Sequence, residues 1–199
     1  MTRNRAILSA AGLAVALLVT GCSTDSPEPP ASSPSIDTSA TPDVSPSPEP
    51  SATSVVVQPE RPAAMDDDGP AGAEAAAVYF LELDDYIMKT NDTAEWEAMS
   101  GKGCGYCTKR LDQANEIARK NYSWESEPSS ARVTHTYEQD SATEIWPLDV
   151  EVLQGAVRLT DSNGEVIYAE DQVTLDLGVE MGRHDGQWTV LGVGQVEEG

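Results

Sequence analysis

The chain has 199 residues, 34 of them acidic and 12 basic, giving a net charge of −22 at pH 7. All 34 acidic residues and ten of the 12 basic ones lie beyond Cys22. Such a chain has no basic stripe to displace phosphate counterions and repels anionic lipid, which excludes nucleic-acid binding and purely electrostatic membrane attachment.

Arg3 and Arg5 precede an uncharged apolar run over residues 6–20. At 1.5 Å per residue that run covers about 22 Å, short of the roughly 30 Å hydrocarbon core, so it reads as a signal peptide rather than a spanning helix. The run ends in Leu18-Val19-Thr20-Gly21-Cys22. This stretch resembles the lipobox of bacterial lipoproteins. The resemblance implies a signal peptide over residues 1–21, cleavage before Cys22, and lipidation of Cys22 through a diacylglycerol thioether, with palmitate as the label that would report it. The expected location is the outer, extracytoplasmic face of the cytoplasmic membrane, and the expected membrane contact is the lipid itself.

Residues 22–68 are expected to be a tether. Residues 23–62 alone hold ten of the 13 prolines and ten serines, with Val55-Val56-Val57 as the one apolar cluster. Such a segment cannot bury enough apolar surface to offset the entropy of ordering it, so a disordered, extended linker is predicted. Asp66-Asp67-Asp68 closes it, read as solvated, helix-capping carboxylates rather than a cation site.

Residues 69–199 are expected to form one domain with a single core. Gly69-Pro70 opens a first helix running to about Lys89, with Ala73, Ala76, Ala77, Phe80, Leu83 and Ile87 on one stripe. Asn91-Asp92-Thr93 ends it and starts a short helix over residues 94–99. A glycine loop, Ser100–Cys107 in sequence, leads into a third helix with Cys107, Leu111, Ala114, Ile117 and Ala118 on its buried side. Lys102, Lys109, Arg110, Arg119 and Lys120 gather in this region, half of the basic residues beyond Cys22. They form a candidate interaction face, weighed against an ordinary solvated helix surface.

After Trp124 the periodicity becomes alternating. Val133, His135 and Tyr137 share one phase, and Leu148, Val150 and Val152 another. Val157 and Leu159 continue in opposite phase, which predicts a bulge near Gly155. Asn163-Gly164 is a hairpin signal, Val173 to Met181 alternates cleanly, and Asp185-Gly186 turns into a last strand over residues 188–196. The predicted class is α+β: three N-terminal helices packed on one curved antiparallel sheet of about four strands, a cone with a pocket.

Three readings compete for Cys104 and Cys107 beside the lipidated Cys22. The pair is a structural disulfide in an oxidising compartment, a redox-active pair at a helix start, or two of the four ligands a zinc ion needs. The first is favoured, because a helix rather than a strand precedes the loop and the two histidines stand apart from it. His135, if it faces the pocket together with Asp84 or Tyr79, would support acid–base chemistry; a satisfied strand residue is the plainer reading. His184 is expected to be exposed beside its turn. No nucleophile elbow, phosphate loop or zinc-protease motif is present, and no catalytic residue, metal or cofactor is expected.

The lipobox, the Ser/Pro tether, the Gly72-Ala73 helix start, the Cys104-Gly-Tyr-Cys107 knot and the closing Asp185-Gly186-Gln187-Trp188 resemble an actinobacterial lipoprotein group classed as a domain of unknown function. The group's helix-then-sheet order is similar to the nuclear-transport-factor-two-like, or cystatin-like, cone. The resemblance covers roughly residues 60–199. Other cone families include ketosteroid isomerases, dehydratases and polyketide cyclases, but no motif of theirs matches here residue by residue. The expected function is a membrane-anchored extracytoplasmic module that binds a small apolar ligand or docks with a cell-envelope protein. The alternative is an extracytoplasmic enzyme: a cone-type isomerase or dehydratase, or a thiol oxidoreductase using the Cys pair.

Overall fold

A computed structural model describes residues 55–196. The expected signal peptide, Cys22 and most of the tether lie outside the described residues. Helix α1 (Pro70–Thr90) starts with Pro70, whose missing N–H costs nothing in the first turn, and ends at Asn91 in the left-handed region at φ 57°. The apolar stripe read from its sequence is buried, and Tyr79, Leu81 and Met88 are buried with it. Helix α2 (Ala94–Met99) lays Trp96 against Phe80, ring centroids 4.0 Å apart. Helix α3 (Gly105–Lys120) follows, and the Trp96 indole N–H donates to the Cys107 carbonyl at 3.1 Å. One fully buried tryptophan thus joins all three helices.

Seven strands follow: β1 (Ser123–Ser126), β2 (Ser130–Thr136), β3 (Trp146–Gln154), β4 (Val157–Thr160), β5 (Val166–Glu170), β6 (Val173–His184) and β7 (Gln187–Gln195). The fold is mixed α+β, but the expectation of one sheet of about four strands is corrected. There are two antiparallel sheets, ordered β2-β3-β6-β7 and β1-β4-β5. The division falls at Gly155. Instead of a bulge inside one long strand, the chain leaves the first sheet after Gln154 and enters the second at Val157. A Cβ on Gly155 would lie 2.4 Å from the Glu127 carbonyl oxygen, so only glycine lets the crossing pass this close to the β1–β2 connection. Strand β1 alternates exposed and half-buried positions over only four residues, whereas β5 does not alternate. β5 is exposed at all five positions, so only the Asn163-Gly164 turn before it, and no alternation of its own, marks it in the sequence.

The long pair β3–β6 runs in register from Trp146 opposite Met181 to Gln154 opposite Val173. Leu148 and Val150 from β3, with Leu177, Val179 and Met181 from β6, face the helices and close the core. The β6–β7 hairpin turns on Asp185 and Gly186, both left-handed at φ 50° and 80°, as a two-residue turn between twisted strands requires.

The packed chain begins before Gly69, inside the segment expected to be tether. A short 3-10 turn, Ala63–Asp66, buries Met65, whose carbonyl accepts from the Trp188 indole at 3.0 Å. Farther back, the Gln58 amide donates to the Tyr79 hydroxyl at 3.2 Å. Pro- and Ser-rich composition did not disclose this docking, because it depends on a single apolar side chain and on backbone carbonyls. The aspartate run behaves as polar anchoring: Asp66 pairs with Arg61, and Asp67 accepts from the Gly69 N–H at 2.7 Å. Among the described residues no helix is long and apolar enough to cross a membrane.

Gly155→Ala should lower stability by about 1–3 kcal/mol through overpacking at the sheet crossing. Gly103→Ala, where an added Cβ meets nothing within 4 Å, should change little. Urea unfolding midpoints of the two variants check this.

Candidate functional site

The concave side of the fold holds a cleft with two adjoining chambers. The larger, about 300 Å³, lies between α1, α3 and strands β2, β3 and β6. Its walls are mainly apolar, formed by Leu81, Tyr106, Ala131, Val152, Leu175 and Leu177, and Pro59 of the N-terminal segment contributes to them. The smaller, about 140 Å³, opens toward the second sheet and is polar, with Arg110, Gln113, Trp124, Ser126, Tyr168 and Glu170 on its walls. Asp84, Asp85, Ser129 and Gln154 border both.

Helix α1 supplies the divide. Its buried stripe fixes its rotation, so Glu82, Asp84 and Asp85 emerge where the two sheets meet. Asp84 takes a two-pronged ion pair from Arg110 of α3: Nε donates at 2.5 Å and the second guanidinium nitrogen donates to the other carboxylate oxygen. Both side chains are only 20% exposed. The remaining guanidinium nitrogen donates to Gln113 Oε1 at 2.8 Å, so every arm of Arg110 is engaged. Burial works against the Arg110 charge, and the Asp84 carboxylate more than restores it, holding its pKa above the ordinary arginine value. Asp85 accepts from Lys89 Nζ at 2.6 Å, from the Trp124 indole at 3.2 Å and from the Ser126 hydroxyl. Arg110 also lies over the Trp124 ring at 5.8 Å.

Three further groups in the cleft are shifted by their surroundings, among them Tyr168, whose phenol is raised by its hydrogen bond to Glu170. Burial pushes the Tyr106 phenol far above its ordinary range, and the Asp84 charge adds to the shift. Glu82 has no hydrogen-bond or ion-pair partner among the described residues, and lost hydration raises its carboxyl above the usual glutamate value.

A family model, Family of unknown function (DUF6318), matches residues 46–194. The chain belongs to this family. Among solved structures, the intermembrane space region of the chloroplast protein ARC6 is similar at 12% identity and a TM-score of 0.50, over 65% of this chain and 98% of that one. The likeness is one of fold alone. A periplasmic fragment of TraM is similar at 10% identity and a TM-score of 0.37, over 60% of this chain and 90% of that one. The protein named Rd1NTF2_05 is similar at 12% identity and a TM-score of 0.34, over 59% of this chain and 90% of that one. Neither of these two bears on the fold at such scores. No curated protein matches the chain.

The structure separates the residues that the sequence grouped. His135, Tyr79 and Asp84 do not form one pocket: Asp84 borders the cleft, Tyr79 is buried under the N-terminal segment, and His135 is exposed with its ring edge-on to Tyr137 at 4.3 Å. The cause is a bulge at Thr134. Val133 pairs with Val150 but His135 pairs with the next residue, Asp149. The extra residue reverses the alternation, so Thr136 turns inward to donate to Glu74 at 2.6 Å while His135 and Tyr137 turn out. The candidate basic face also divides. Arg110 points into the cleft, and Lys120 pairs with Glu116 at 2.5 Å and lies over the Tyr122 ring. Lys102, Lys109 and Arg119 are exposed, the first two beside the cysteine loop. His184 is exposed and stands 3.2 Å from Asp185.

Cys104 and Cys107 form a disulfide, each 1% exposed. The Cys104 sulfur accepts the Cys107 N–H at 3.1 Å and so caps α3. Buried sulfurs offer no approach for a thiol or disulfide partner, and among the described residues no group of His, Cys, Asp and Glu comes together as a metal site. The sequence reading missed Glu82 and Tyr106 as cleft residues. The one advance signal was the acidic positions Glu82, Asp84 and Asp85 beside a buried helical stripe.

Because the Tyr106 phenol ionises later in the folded chain than in the unfolded one, its contribution to stability is complete below about pH 10 and is lost as pH rises beyond that. Tyr106→Phe should therefore show a shallower loss of stability above pH 10 than the wild type. Urea unfolding at a series of alkaline pH values measures the difference in slope.

Proposed function

We propose that this protein is a lipid-anchored extracytoplasmic module that binds a small, mainly apolar ligand in the cleft between its helices and sheets. The observation that carries the binding reading is the larger chamber. Its volume stands at the lower end of the roughly 300–1,000 Å³ common for ligand sites, and its apolar walls surround a few convergent polar groups. Those walls come from rigid elements: Leu81 from α1, Ala131 from β2, Val152 from β3 and Leu175 and Leu177 from β6. No imidazole faces the chamber, and the disulfide is sealed away from it. Binding rather than turnover is therefore the chemistry these side chains support.

The anchoring reading rests on the sequence. The basic start, the apolar run and the Gly21-Cys22 junction support lipidation, as in the actinobacterial lipoproteins the chain resembles. Proline-rich residues beyond Cys22 then serve as the stalk that holds the domain off the membrane. The strongly acidic composition keeps the domain soluble and repelled from anionic headgroups.

Titration with the neutral fluorescent dye N-phenyl-1-naphthylamine should give saturable binding to the full-length chain carrying Cys22→Ala. Ala131→Trp, which fills the chamber, should abolish it while circular dichroism and the thermal midpoint stay close to the parent. Equal binding by the filled variant would remove the cleft from the reading. Metabolic labelling with palmitate should mark the wild-type chain and leave Cys22→Ala unmarked; equal marking of both would remove the anchor.

A further inference from the structure

The N-terminal segment supplies one wall residue of the larger chamber, Pro59. Pro59 is half-buried and its neighbours Gln58 and Glu60 are exposed, which places it at the rim. Immediately upstream, Val55, Val56 and Val57 are 84%, 42% and 77% exposed. We propose that these three valines are a lid that closes over an apolar ligand in the larger chamber, with residues 58–65 as its fixed base. This rests on the cleft being a ligand site, and goes beyond that reading by assigning the part of the chain that controls release.

The base is held firmly and the valines are not. Met65 is buried, and its carbonyl accepts from the Trp188 indole at 3.0 Å. Pro59 and Pro62, both half-buried, fix their own φ and keep the residue before each extended. The Gln58 amide donates to the hydroxyl of buried Tyr79 at 3.2 Å. Beyond Gln58 the hold ends: among the described residues Val55, Val56 and Val57 make no hydrogen bond and belong to no helix or strand. Consecutive Cα atoms are 3.8 Å apart, so Val57 stands within about 8 Å of Pro59 and Val55 within about 15 Å. The valines are thus in reach of the chamber with no change at Met65.

Single exposed apolar side chains are ordinary on a protein surface. Three in succession beside an apolar cavity are not, because a burial partner lies within reach. Residues 51–58 also carry no charge, in a chain with 34 acidic residues. They can therefore approach the border formed by Glu82, Asp84 and Asp85 without like-charge repulsion and without bringing a charge onto an apolar ligand. Ligand sites commonly bury about 70–90% of the ligand surface, whereas a cleft covers its ligand on fewer sides. Valine side chains laid across the open side remove that surface from water, a gain that depends on the ligand being apolar.

The test uses the full-length chain carrying Cys22→Ala and the neutral dye N-phenyl-1-naphthylamine. Replacing Val55, Val56 and Val57 together by Ser should weaken dye binding about tenfold, through faster release, since burying even one valine against the dye is worth about that factor. The thermal midpoint of the dye-free protein should not move, because the three side chains are exposed there. As a control, Val166→Ser with Ile167→Ser removes exposed apolar surface from β5 that borders neither chamber, and should leave dye affinity nearly unchanged. In the parent chain the dye should slow hydrogen exchange at the amides of residues 55–58. Unchanged or tighter binding by the valine variant, an equal loss in the control, or exchange at residues 55–58 indifferent to the dye would overturn the lid and leave the cleft standing. Failure of the dye to bind the parent chain would remove the cleft, and the lid with it.

Discussion

Asp84 and Asp85, adjacent on α1, hold the helices to the second sheet. One turns to Arg110 and so to α3; the other turns to Lys89, Trp124 and Ser126 and so to β1. Neither carboxylate is deeply buried, yet each is too shielded to stand alone, so its partners must arrive together. That requirement fixes the separation of α1, α3 and β1. The cleft is the space left over once these ties are made, which is why the same two residues border both chambers.

The apolar core explains why the ties form where they do. Helix α1 buries residues on most of its circumference, with Phe80 stacked on Trp96 and Leu83 and Ile87 fully buried in the same core. Burial of this extent sets the helix rotation, and Glu82, Asp84 and Asp85 can emerge only along the edge the core does not claim. The disulfide works at the other end of the same assembly. It closes a small ring at the start of α3, so its direct effect on chain entropy is small. Its larger effect is positional, since the Cys107 carbonyl it steadies receives the Trp96 indole.

Local backbone irregularities decide which faces the strands present. At Gly155 the absence of a side chain lets the chain change sheets, producing two sheets where a continuous one would leave no polar chamber. At Thr134 a single inserted residue reverses the faces of β2, bringing Thr136 in and sending His135 out. The electrostatic consequence is specific: the cleft has carboxylates, two phenols and one committed guanidinium, and no imidazole.

How much of this was readable beforehand follows from the range of each interaction. Helices α1, α2 and α3 were legible, because their apolar repeats and their Pro, Asn and Gly boundaries act within one or two turns. The hairpin at Asp185-Gly186 was legible for the same reason, since left-handed backbone is a local demand. Strand β5, exposed on both faces, and the docking of Met65 beneath Trp188 were not, as neither leaves a period in the sequence. The sequence by itself determined the acidity, the lipobox-like junction at Cys22 and the helical stripe, all of them properties of neighbouring residues. Only the tertiary structure decided that Arg110 leaves the basic face for Asp84, 26 positions away, and that His135 faces solvent, because those outcomes hang on a contact between distant residues and on one bulge that reverses a strand.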